Sequence, residues 1–386
     1  MSLKPEFPAA RGVVNLDAAS TGLVPRRAIE AVSGYYVNSC CNAGRSAYRR
    51  SLETSAIIED ARESLAAFFG AKPEQLAFTP GATHSINWIA KGLRLSRGDK
   101  VLLTKIDHHA NILPWLDLAE VEIVWVECDI HGRIDVEDFK SKISGVKVAA
   151  FSGASNVTGA VQPIKELSAI SRQAGALSLV DAAQLAPHKP IDFSDIGCDY
   201  LAVSGHKMNA PKGIGLLLSS EIGAKRIKPL IVGGGSVKDV TLDGFTLKDY
   251  PEGFESGTFS VEGVIGLVAS IEWLKSQNLP EIYTHERELM NRIEKLLYGF
   301  DIEVFHPSID STPTLSFWSG SMKAHTLACH LDRKHKIQVR SGHMCAFPFI
   351  KGILGKTDGL VRVSIGPWNT KDDVEIFSLA ISELLE

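Results

Sequence analysis

The chain contains few cysteines for its length. Six cysteines stand among 386 residues, none of them forms a CxxC pair, and Cys40 is adjacent to Cys41. Adjacent cysteines are a poor start for a disulfide framework, and so small a number favours reduced thiols. Most of these thiols are expected to be small buried hydrophobic side chains, so a functional cysteine has to be identified by its neighbours.

Long apolar runs and blocks of one charge sign are also missing. No stretch approaches the roughly 20 apolar residues of a membrane span, and residues 1–11 lack the apolar centre of a signal peptide. A formal net charge of -4 gives no general attraction to nucleic acid or to an anionic membrane. These absences predict a cytoplasmic protein whose partners include neither nucleic acid nor membrane.

Short apolar runs alternate with amphipathic segments over the first two-thirds of the chain. Seven runs predict strands, at residues 76–79, 101–104, 122–126, 146–151, 177–180, 200–203 and 214–218. Helical patterns lie between several of them, for example at 163–173 and at 55–70, where the apolar face is formed by Ile57, Ile58, Ala61, Leu65, Phe68 and Phe69. This alternation predicts an α/β fold with a mostly parallel seven-stranded sheet covered on both faces.

The pattern changes after about residue 263. Helical patterns at 264–275, 281–298, 323–333 and 371–385 accompany two strand-like stretches, at 314–317 and 360–365. A chain of this length also exceeds what one hydrophobic core usually supports. We therefore predict an N-terminal arm at 1–14, a large domain at 15–263 and a smaller α+β domain at 264–386.

In an open α/β sheet, ligands bind beyond the carboxyl ends of the strands, so the residues after each predicted strand are informative. Strand 76–79 is followed by Pro80 and Gly81, and then by Ala82 and Thr83, which open the next helix. Free N–H groups at a helix N-terminus favour an anion such as phosphate. An ordinary helix cap is the alternative.

Two further strand ends carry side chains that suit an aromatic ligand. His108 and His109 follow strand 101–104, but adjacent histidines point in different directions and no other ligand stands at metal spacing, so no metal site is predicted. A flat imidazole stacked on an aromatic cofactor fits better, with a surface or core histidine as the alternative. Asn156, after strand 146–151, suits a ring hydroxyl or a simple turn.

A carboxylate and an amine complete the set of strand ends. Asp181 ends an apolar strand and needs a partner such as a protonated pyridine nitrogen, unless it caps a helix. Lys207 follows strand 200–203, where burial would lower the pKa of the amine and make it nucleophilic. Pyridoxal-phosphate sites combine a Schiff-base lysine with an aspartate on the ring nitrogen. The five strand ends together predict a pyridoxal 5'-phosphate site.

A reactive cysteine is indicated in the second part of the chain. Cys345 stands in a small, turn-forming segment beside two possible thiolate stabilisers, Arg340 and His343. Arg340 is also suited to clamp the carboxylate of an amino acid with two parallel hydrogen bonds. Arg362 is a weaker candidate for the same role.

These segments resemble the class V aminotransferase superfamily and, within it, the SUF-type (group II) cysteine desulfurases, close to the selenocysteine lyases. The resemblance extends from residue 15 to residue 370. Its most specific segments are Asp107-His-His-Ala-Asn-Ile-Leu-Pro-Trp115, Val180-Asp-Ala-Ala-Gln184, Ser204-Gly-His-Lys207 and Arg340-Ser-Gly-His-Met-Cys-Ala346. It implies a fold-type I pyridoxal-phosphate transferase.

The resemblance also implies a role for each site residue. Lys207 would form the Schiff base, Asp181 would hold the pyridinium and His108 would stack on the ring. Gln184 and Asn156 would contact the hydroxyl edge of the cofactor or nearby substrate. The phosphate would be bound by Ala82, Thr83, Ser204 and His206, and the substrate carboxylate by Arg340 with help from Asn156. In this family Gly257 and Thr258 reach the phosphate of the partner subunit, which implies a homodimer with shared active sites.

The implied activity is that of a cysteine desulfurase. Cys345 would attack the sulfur of bound L-cysteine and keep it as a persulfide, with L-alanine as the other product. An acceptor protein would take the sulfur onward for iron–sulfur cluster assembly. A selenocysteine lyase or another class V enzyme, and a non-catalytic scaffold homologue, are the alternatives. The chain departs from the family at Met344, where a second histidine is common, at Asp107, where glutamate is common, and at residues 45–50, where histidines often face the site.

Overall fold

The computed structural model describes residues 2–44, 46–258, 260–307 and 309–385. Arg45, which belongs to the divergent segment 45–50, lies outside the described residues. So do residue 1 of the predicted N-terminal arm and residue 386 of the predicted small domain. The strands are β1 (Val14–Asn15), β2 (Leu76–Thr79), β3 (Lys100–Thr104), β4 (Glu122–Val126), β5 (Val146–Ser152), β6 (Leu177–Asp181), β7 (Tyr200–Ser204), β8 (Gly215–Ser219), β9 (Val237–Val240), β10 (Phe245–Leu247), β11 (Ile302–Phe305), β12 (Thr314–Ser319), β13 (Ile337–Gln338), β14 (Arg340–Gly342) and β15 (Leu360–Ser364). The α-helices are α1 (Arg26–Asn38), α2 (Arg49–Phe68), α3 (Ala82–Gly92), α4 (Leu113–Leu116), α5 (Val136–Lys142), α6 (Ile164–Gln173), α7 (Phe193–Ile196), α8 (Glu221–Arg226), α9 (Val261–Ser276), α10 (Leu279–Leu297), α11 (Ala324–His335) and α12 (Lys371–Leu385).

Seven strands form one sheet in the order β2-β8-β7-β6-β5-β3-β4. The strands from β7 across to β4 run parallel, whereas β8 is antiparallel to both of its neighbours. The predicted α/β fold with a mostly parallel seven-stranded sheet is therefore confirmed, and each of the seven predicted runs lies almost entirely within one of these strands.

Both faces of this sheet are buried, which explains why its strands are apolar throughout. In β5, Ala149 and Phe151 belong to the core on one face, whereas Val148 and Ala150 belong to the core on the other. Because parallel neighbours end at the same edge, the residues that follow β3, β5, β6 and β7 come together. That edge carries most of the predicted site residues.

The last part of the chain forms a second, antiparallel sheet in the order β11-β12-β15-β14. Its core includes Leu315 and Val363 from the sheet and Phe377 from α12. The sequence predicted β12 and β15, but missed β11 and β14. β14 is only three residues long, and its sequence indicates a turn, because Arg340–Gly342 has neither an apolar run nor an alternating pattern.

The N-terminal residues pack with this second sheet. β1 pairs in parallel with β13, and Phe7 contacts Trp273 and Trp368 with ring centroids 5.0 and 5.4 Å away. An isolated bridge joins Asp17 to Ser364. Asp17 is therefore placed beside the C-terminal end of β15.

The bounds of one predicted helix and one predicted domain boundary differ from the observed elements. The predicted helix at 55–70 begins six residues earlier, at Arg49, and Ile57 is 43% exposed because it lies one position off the buried face that Ile58, Ala61 and Leu65 share. The predicted domain boundary at 263/264 falls inside α9, whose Val264 belongs to the core of the seven-stranded sheet. α9 is apolar over most of its length, so the sequence shows no break where the first core ends. No helix among the described residues is long and apolar enough to cross a bilayer.

Candidate active site

A cavity of about 270 Å³ opens at the carboxyl edge of the large sheet, where the second sheet faces it. From the large sheet and its loops, the predicted site residues that line it are Ala82, Thr83, His108, Asn156, Asp181 and Gln184. Ser204, His206 and Lys207 line it from the end of β7, and Arg340, Cys345 and Arg362 line it from the second sheet. The structure thus gathers twelve of the predicted residues around one space.

Gly257 and Thr258 are the predicted residues that lie elsewhere. Both are exposed, and Gly257 borders a different cavity, near Arg62. The structure therefore does not bring these two residues to the cavity of their own chain. This position is compatible with their predicted role at the site of a partner subunit.

Lys207 lies at the end of a short 3-10 turn that follows β7. Burial lowers the pKa of its amine to about 8, against the opposing influence of Asp181. The nearby Arg362 guanidinium lowers the pKa further, whereas Cys345 raises it. A far larger fraction of Lys207 than of an exposed lysine is therefore neutral, and so nucleophilic, close to physiological pH.

Asp181 ends β6, beside Ser152 of β5 and Ala202 of β7. Its Oδ1 accepts a hydrogen bond from the Ala183 N–H at 3.0 Å. Burial raises the pKa of the carboxyl, and the positive charge of Lys207 opposes that rise. A cationic ring nitrogen would be a favourable partner for this buried carboxylate, because burying an unpaired charge is costly.

His108 is held in a single orientation beside these groups. Its Nδ1 accepts a hydrogen bond from the Ala110 N–H at 3.0 Å, so this nitrogen carries no proton. Burial and the positive charge of Lys207 lower the pKa of the ring to about 3. A neutral, flat imidazole at the wall of the cavity is suited to stacking on an aromatic ring.

The residue before His108 ties two strand ends together. The buried Asp107 accepts hydrogen bonds from the N–H and Oγ1 of Thr104 at 3.1 and 2.8 Å, and from the N–H and Oγ of Ser152 at 2.8 and 2.6 Å. Thr104 ends β3 and Ser152 ends β5. Asp107 therefore fixes the His108 loop to the strand that neighbours Asp181.

The predicted phosphate seat is the N-terminus of α3, next to the end of β7. The Ala82 N–H donates to Ser204 Oγ at 3.1 Å, so this donor already has a partner, whereas Thr83 is exposed at the mouth. His206 is half-buried, and burial together with Lys207 lowers its pKa to about 4. The close packing of β8 here requires Gly215, since a Cβ would lie 2.5 Å from Gly81 Cα.

The two candidate arginines differ in burial. Arg340 is exposed on the edge strand, directly opposite Arg362 on β15. Arg362 is 3% exposed, and its Nη2 donates to Asp17 Oδ1 at 2.9 Å and to Ser20 Oγ at 2.7 Å. Its Nε has no hydrogen-bond partner among the described residues. Arg362 is therefore held inside the cavity by the protein, whereas Arg340, the stronger candidate from the sequence, lies at its exposed edge.

Gln184 and Asn156 are both already engaged with the protein. Gln184 Nε2 donates to the Ala19 carbonyl at 2.8 Å. Asn156 Nδ2 donates to the Met344 carbonyl at 2.7 Å. The main-chain carbonyl of Asn156 accepts a hydrogen bond from Arg362 Nη1 at 2.9 Å. Asn156 thus binds the loop of Cys345 and supports Arg362, roles that the sequence did not suggest.

Cys345 is an exposed, free thiol at the mouth of the cavity. It interacts electrostatically with Lys207 and Arg362. Of its predicted stabilisers, Arg340 lines the same cavity, whereas His343 Nε2 contacts the Thr357 carbonyl at 2.9 Å. The cations that share the cavity with Cys345 are therefore Lys207, Arg340 and Arg362, with His343 directed elsewhere.

Sequence reasoning missed the contribution of the N-terminal segment. Ala19, Ser20 and Ser152 line the cavity, and Asp17 supports Arg362 from behind. The sequence does contain a hint, because residues 15–19 share the family resemblance, but this resemblance indicates no role for any one of them.

The donor set of this cavity suits pyridoxal phosphate. It offers a buried carboxylate, a neutral imidazole, an amine of lowered pKa and a helix N-terminus within one enclosed space. Each of these groups has the charge or shape that one part of the cofactor requires.

Comparisons with known proteins agree with this architecture. The family model described as aminotransferase class-V matches residues 14–377. A probable cysteine desulfurase of Methanothermobacter thermautotrophicus is 36% identical over 387 residues, which cover 98% of this chain and 96% of that protein. The apo structure of a cysteine desulfurase from Thermococcus onnurineus NA1 superposes with a TM-score of 0.95 at 34% identity, covering 99% of this chain and 97% of that one. The cysteine desulfurase CsdA (S-sulfonic acid) from Escherichia coli gives 0.91 at 32% identity, with coverages of 99% and 98%. The predicted superfamily is thereby confirmed, and the SUF-type subgroup stays a prediction.

Proposed function

The chain belongs to the class V aminotransferase family, and on that premise we propose that it is a pyridoxal-phosphate-dependent cysteine desulfurase. It converts L-cysteine to L-alanine and holds the released sulfur as a persulfide on Cys345. The observation that carries the proposal is that Cys345 and Lys207 line the same cavity. A nucleophilic thiol and a nucleophilic amine then act on one bound amino acid.

Five kinds of contact would hold the cofactor. Lys207 would bind its aldehyde carbon, Asp181 would hold its ring nitrogen, and His108 would stack on its face. Thr83, at the start of α3, would bind its phosphate together with Ser204 and His206 at the end of β7, and Gln184 and Asn156 would contact its hydroxyl edge. When bound, pyridoxal phosphate supplies an electron-withdrawing ring that acidifies the Cα–H bond of an attached amino acid.

The substrate carboxylate is assigned to Arg362, with Arg340 as a second contact at the mouth. Arg362 is buried and held by Asp17 and Ser20, so its guanidinium is already oriented before substrate arrives. Arg362 also lines the cavity. A carboxylate bound there would make a charge-assisted hydrogen bond with its guanidinium.

Proton and sulfur transfer then fall to two side chains. Lys207 Nζ takes the Cα proton of the substrate. Cys345 thiolate attacks the substrate sulfur, so that an S–S bond forms as the Cβ–Sγ bond breaks. The electron pair of the broken bond stays with Cβ. Protonation of Cβ, together with return of a proton from Lys207 Nζ to Cα, completes alanine. Cysteine and the Cys345 thiol thus become alanine and a Cys345 persulfide, without an external oxidant.

Mass spectrometry after incubation with L-cysteine tests the proposal. We expect stoichiometric alanine and one extra sulfur on the peptide that contains Cys345, and both should be lost in Cys345→Ala. Cys40→Ala is the matched control, because Cys40 is also an exposed free thiol but does not line the cavity. Full activity of Cys345→Ala on cysteine would refute the assignment.

The same variant distinguishes the rival activities. A selenocysteine lyase on this scaffold would retain activity towards selenocysteine without Cys345. A non-catalytic homologue would show no visible cofactor band and no borohydride-trapped adduct on Lys207.

Three further parts of the proposal concern assembly and location. The exposed position of Gly257 and Thr258, away from the cavity of their own chain, supports a homodimer with shared sites; light scattering of the purified protein tests it. The sulfur acceptor is a protein of iron–sulfur assembly, testable by transfer of labelled sulfur from Cys345. Cell fractionation tests the cytoplasmic location.

A further inference from the structure

His109 is the second histidine of the pair after β3, and it has no role in the proposed cofactor site. His108 lines the central cavity. The His109 ring lies 6.4 Å from the His108 ring, centroid to centroid, and packs against Phe347 at 5.0 Å. Phe347 stands two residues beyond Cys345.

Two hydrogen bonds join His109 to the backbone that directly follows the Cys345 side chain. The His109 N–H donates to the Cys345 carbonyl at 2.7 Å. The His109 ring Nε2 accepts from the Phe347 N–H at 3.2 Å. One residue of the cofactor loop thus holds the nucleophile segment through its main chain and through its side chain.

The nucleophile segment needs such support because its backbone is strained. Met344 and Cys345 have φ angles of +43° and +55°, in the left-handed region that non-glycine residues rarely adopt. Asn156 Nδ2 adds a third hydrogen bond, to the Met344 carbonyl at 2.7 Å. Without these contacts we expect the segment to relax and the thiol to leave the mouth of the cavity.

We propose that His109 is a positioning residue that holds the Cys345 thiol towards the substrate sulfur, through the acceptor nitrogen of its neutral ring. The inference rests on the proposed role of Cys345, and assigns His109 no contact with cofactor or substrate. Because Nε2 accepts from a backbone N–H, it carries no proton, and protonation would replace this hydrogen bond with a repulsive contact between two donors.

Burial, rather than the charges around it, favours the neutral form of the His109 ring. His108 is adjacent in sequence, His343 packs on Phe347 at 4.7 Å, and Lys351 Nζ lies 4.6 Å from the centre of the same ring. Asp117 borders the groove on the other side of His109, and Cys345 is the remaining titratable neighbour. Burial lowers the pKa of the His109 ring. Acid should therefore release the segment, whereas neutral and basic pH should keep it fixed.

Two substitutions distinguish the effect of the Nε2 acceptor from the effect of ring packing. His109→Gln supplies a neutral acceptor oxygen that does not titrate, whereas His109→Phe keeps the ring packing and removes the acceptor. His131→Gln, at an exposed histidine that does not line the cavity, is the matched control. The holoenzyme is used throughout, and the visible band of the bound cofactor verifies that each variant is loaded.

Two rates are then measured from pH 5 to pH 8. The first is formation of the Cys345 persulfide in a single turnover with cysteine. The second is alkylation of Cys345 by iodoacetamide, which requires no turnover. We expect His109→Phe to slow the persulfide step roughly five- to tenfold, the loss associated with one hydrogen bond, with the cofactor band unchanged. His109→Gln should recover the rate at pH 7. Its rate should fall less steeply in acid than that of the wild type, because only the part of the decline that is due to protonation of His109 is removed.

Three outcomes would overturn the proposal or its premise. Wild-type rates and an unaltered pH profile in His109→Phe would show that the acceptor has no role. A His109→Gln variant as slow as His109→Phe would show that the ring, and not its nitrogen, is required. Absence of persulfide in the wild type would refute the proposed function instead, while the alkylation profiles of the variants would still decide whether His109 positions Cys345.

Discussion

Arg362 Nη2 donates to Asp17 Oδ1 across 2.9 Å, and this contact joins the N-terminal segment to the inner strand of the second sheet. Arg362 is 3% exposed, so its charge is fixed inside the cavity before any ligand binds. The pairing gives the site a preoriented guanidinium whose Nε has no partner among the described residues.

We predict that Arg362→Ala raises the KM for cysteine by about 10- to 100-fold, because a hydrogen bond to a charged group contributes ~1.5–3 kcal/mol. Arg340→Ala should change KM by less than about threefold, since Arg340 is exposed and exposed charges contribute little. Arg362→Lys keeps the charge but loses the planar fork, so it should fall between them. Steady-state kinetics would contradict the assignment if Arg340→Ala proved the more damaging substitution.

The lowered pKa of Lys207 predicts how the apoprotein takes up its cofactor. With a pKa of about 8, roughly one in ten Lys207 amines is neutral at pH 7 and roughly nine in ten at pH 9. The rate of pyridoxal phosphate attachment should therefore rise with pH through a midpoint near 8, as followed by the visible band. A midpoint above 10 would show that Lys207 behaves like an exposed lysine.

Asp181 provides a check on the sign of this effect. Its negative charge raises the pKa of Lys207, so Asp181→Asn should shift the midpoint to lower pH. The position of the midpoint is the quantity to compare. The intensity of the visible cofactor band is not, because Asp181 also belongs to the proposed cofactor site and its loss would weaken binding.

Much of this site could be predicted from the sequence, because residues that follow parallel strands lie together at one edge of the sheet. Asp181 and Lys207 each follow an apolar run, and parallel neighbours necessarily end at the same edge of the sheet. The roles of Asp17 and Ser20 were not predictable in this way. Their position depends on pairing between β1 and β13, strands of two residues each that lie more than 300 residues apart and have no periodic pattern.

The geometry around Cys345 also left no trace in the sequence. A positive φ is usually indicated by glycine or asparagine, but here Met344 and Cys345 adopt it. The two histidines after β3 are identical in type, so only the structure shows that His108 faces the cavity and His109 faces Phe347. The preference for Arg362 over Arg340 depends on burial, which the segment around each arginine did not reveal.

A buried ion pair should dominate the stability of the region that precedes Gly257. Arg62 Nη1 and Nη2 donate to the two oxygens of Glu255 at 2.8 and 2.9 Å, and both side chains are almost fully buried. Arg62→Ala would leave the Glu255 charge buried without this partner, at a cost of about 3–5 kcal/mol. Urea unfolding should show this loss, whereas Arg27→Ala, which breaks the exposed pair with Glu272, should cost less than about 1 kcal/mol. Similar losses in the two variants would contradict the prediction.

The packing of β8 against the start of α3 makes Gly215 a test of the proposed phosphate seat. A Cβ at this position would lie 2.5 Å from Gly81 Cα and 2.5 Å from the Val203 carbonyl oxygen, and neither backbone atom can turn aside. Gly215→Ala should displace the Gly81 turn and raise the Kd for pyridoxal phosphate about tenfold, since overpacking costs ~1–3 kcal/mol. Gly34→Ala, in α1, is the matched control, because its Cβ would meet only Asn38 Nδ2 at 4.0 Å. Equilibrium titration of the apoprotein measures both Kd values, and competition by inorganic phosphate shows whether the loss lies at the phosphate end. An unchanged Kd in Gly215→Ala, with a normal thermal unfolding transition, would exclude the start of α3 as the phosphate seat.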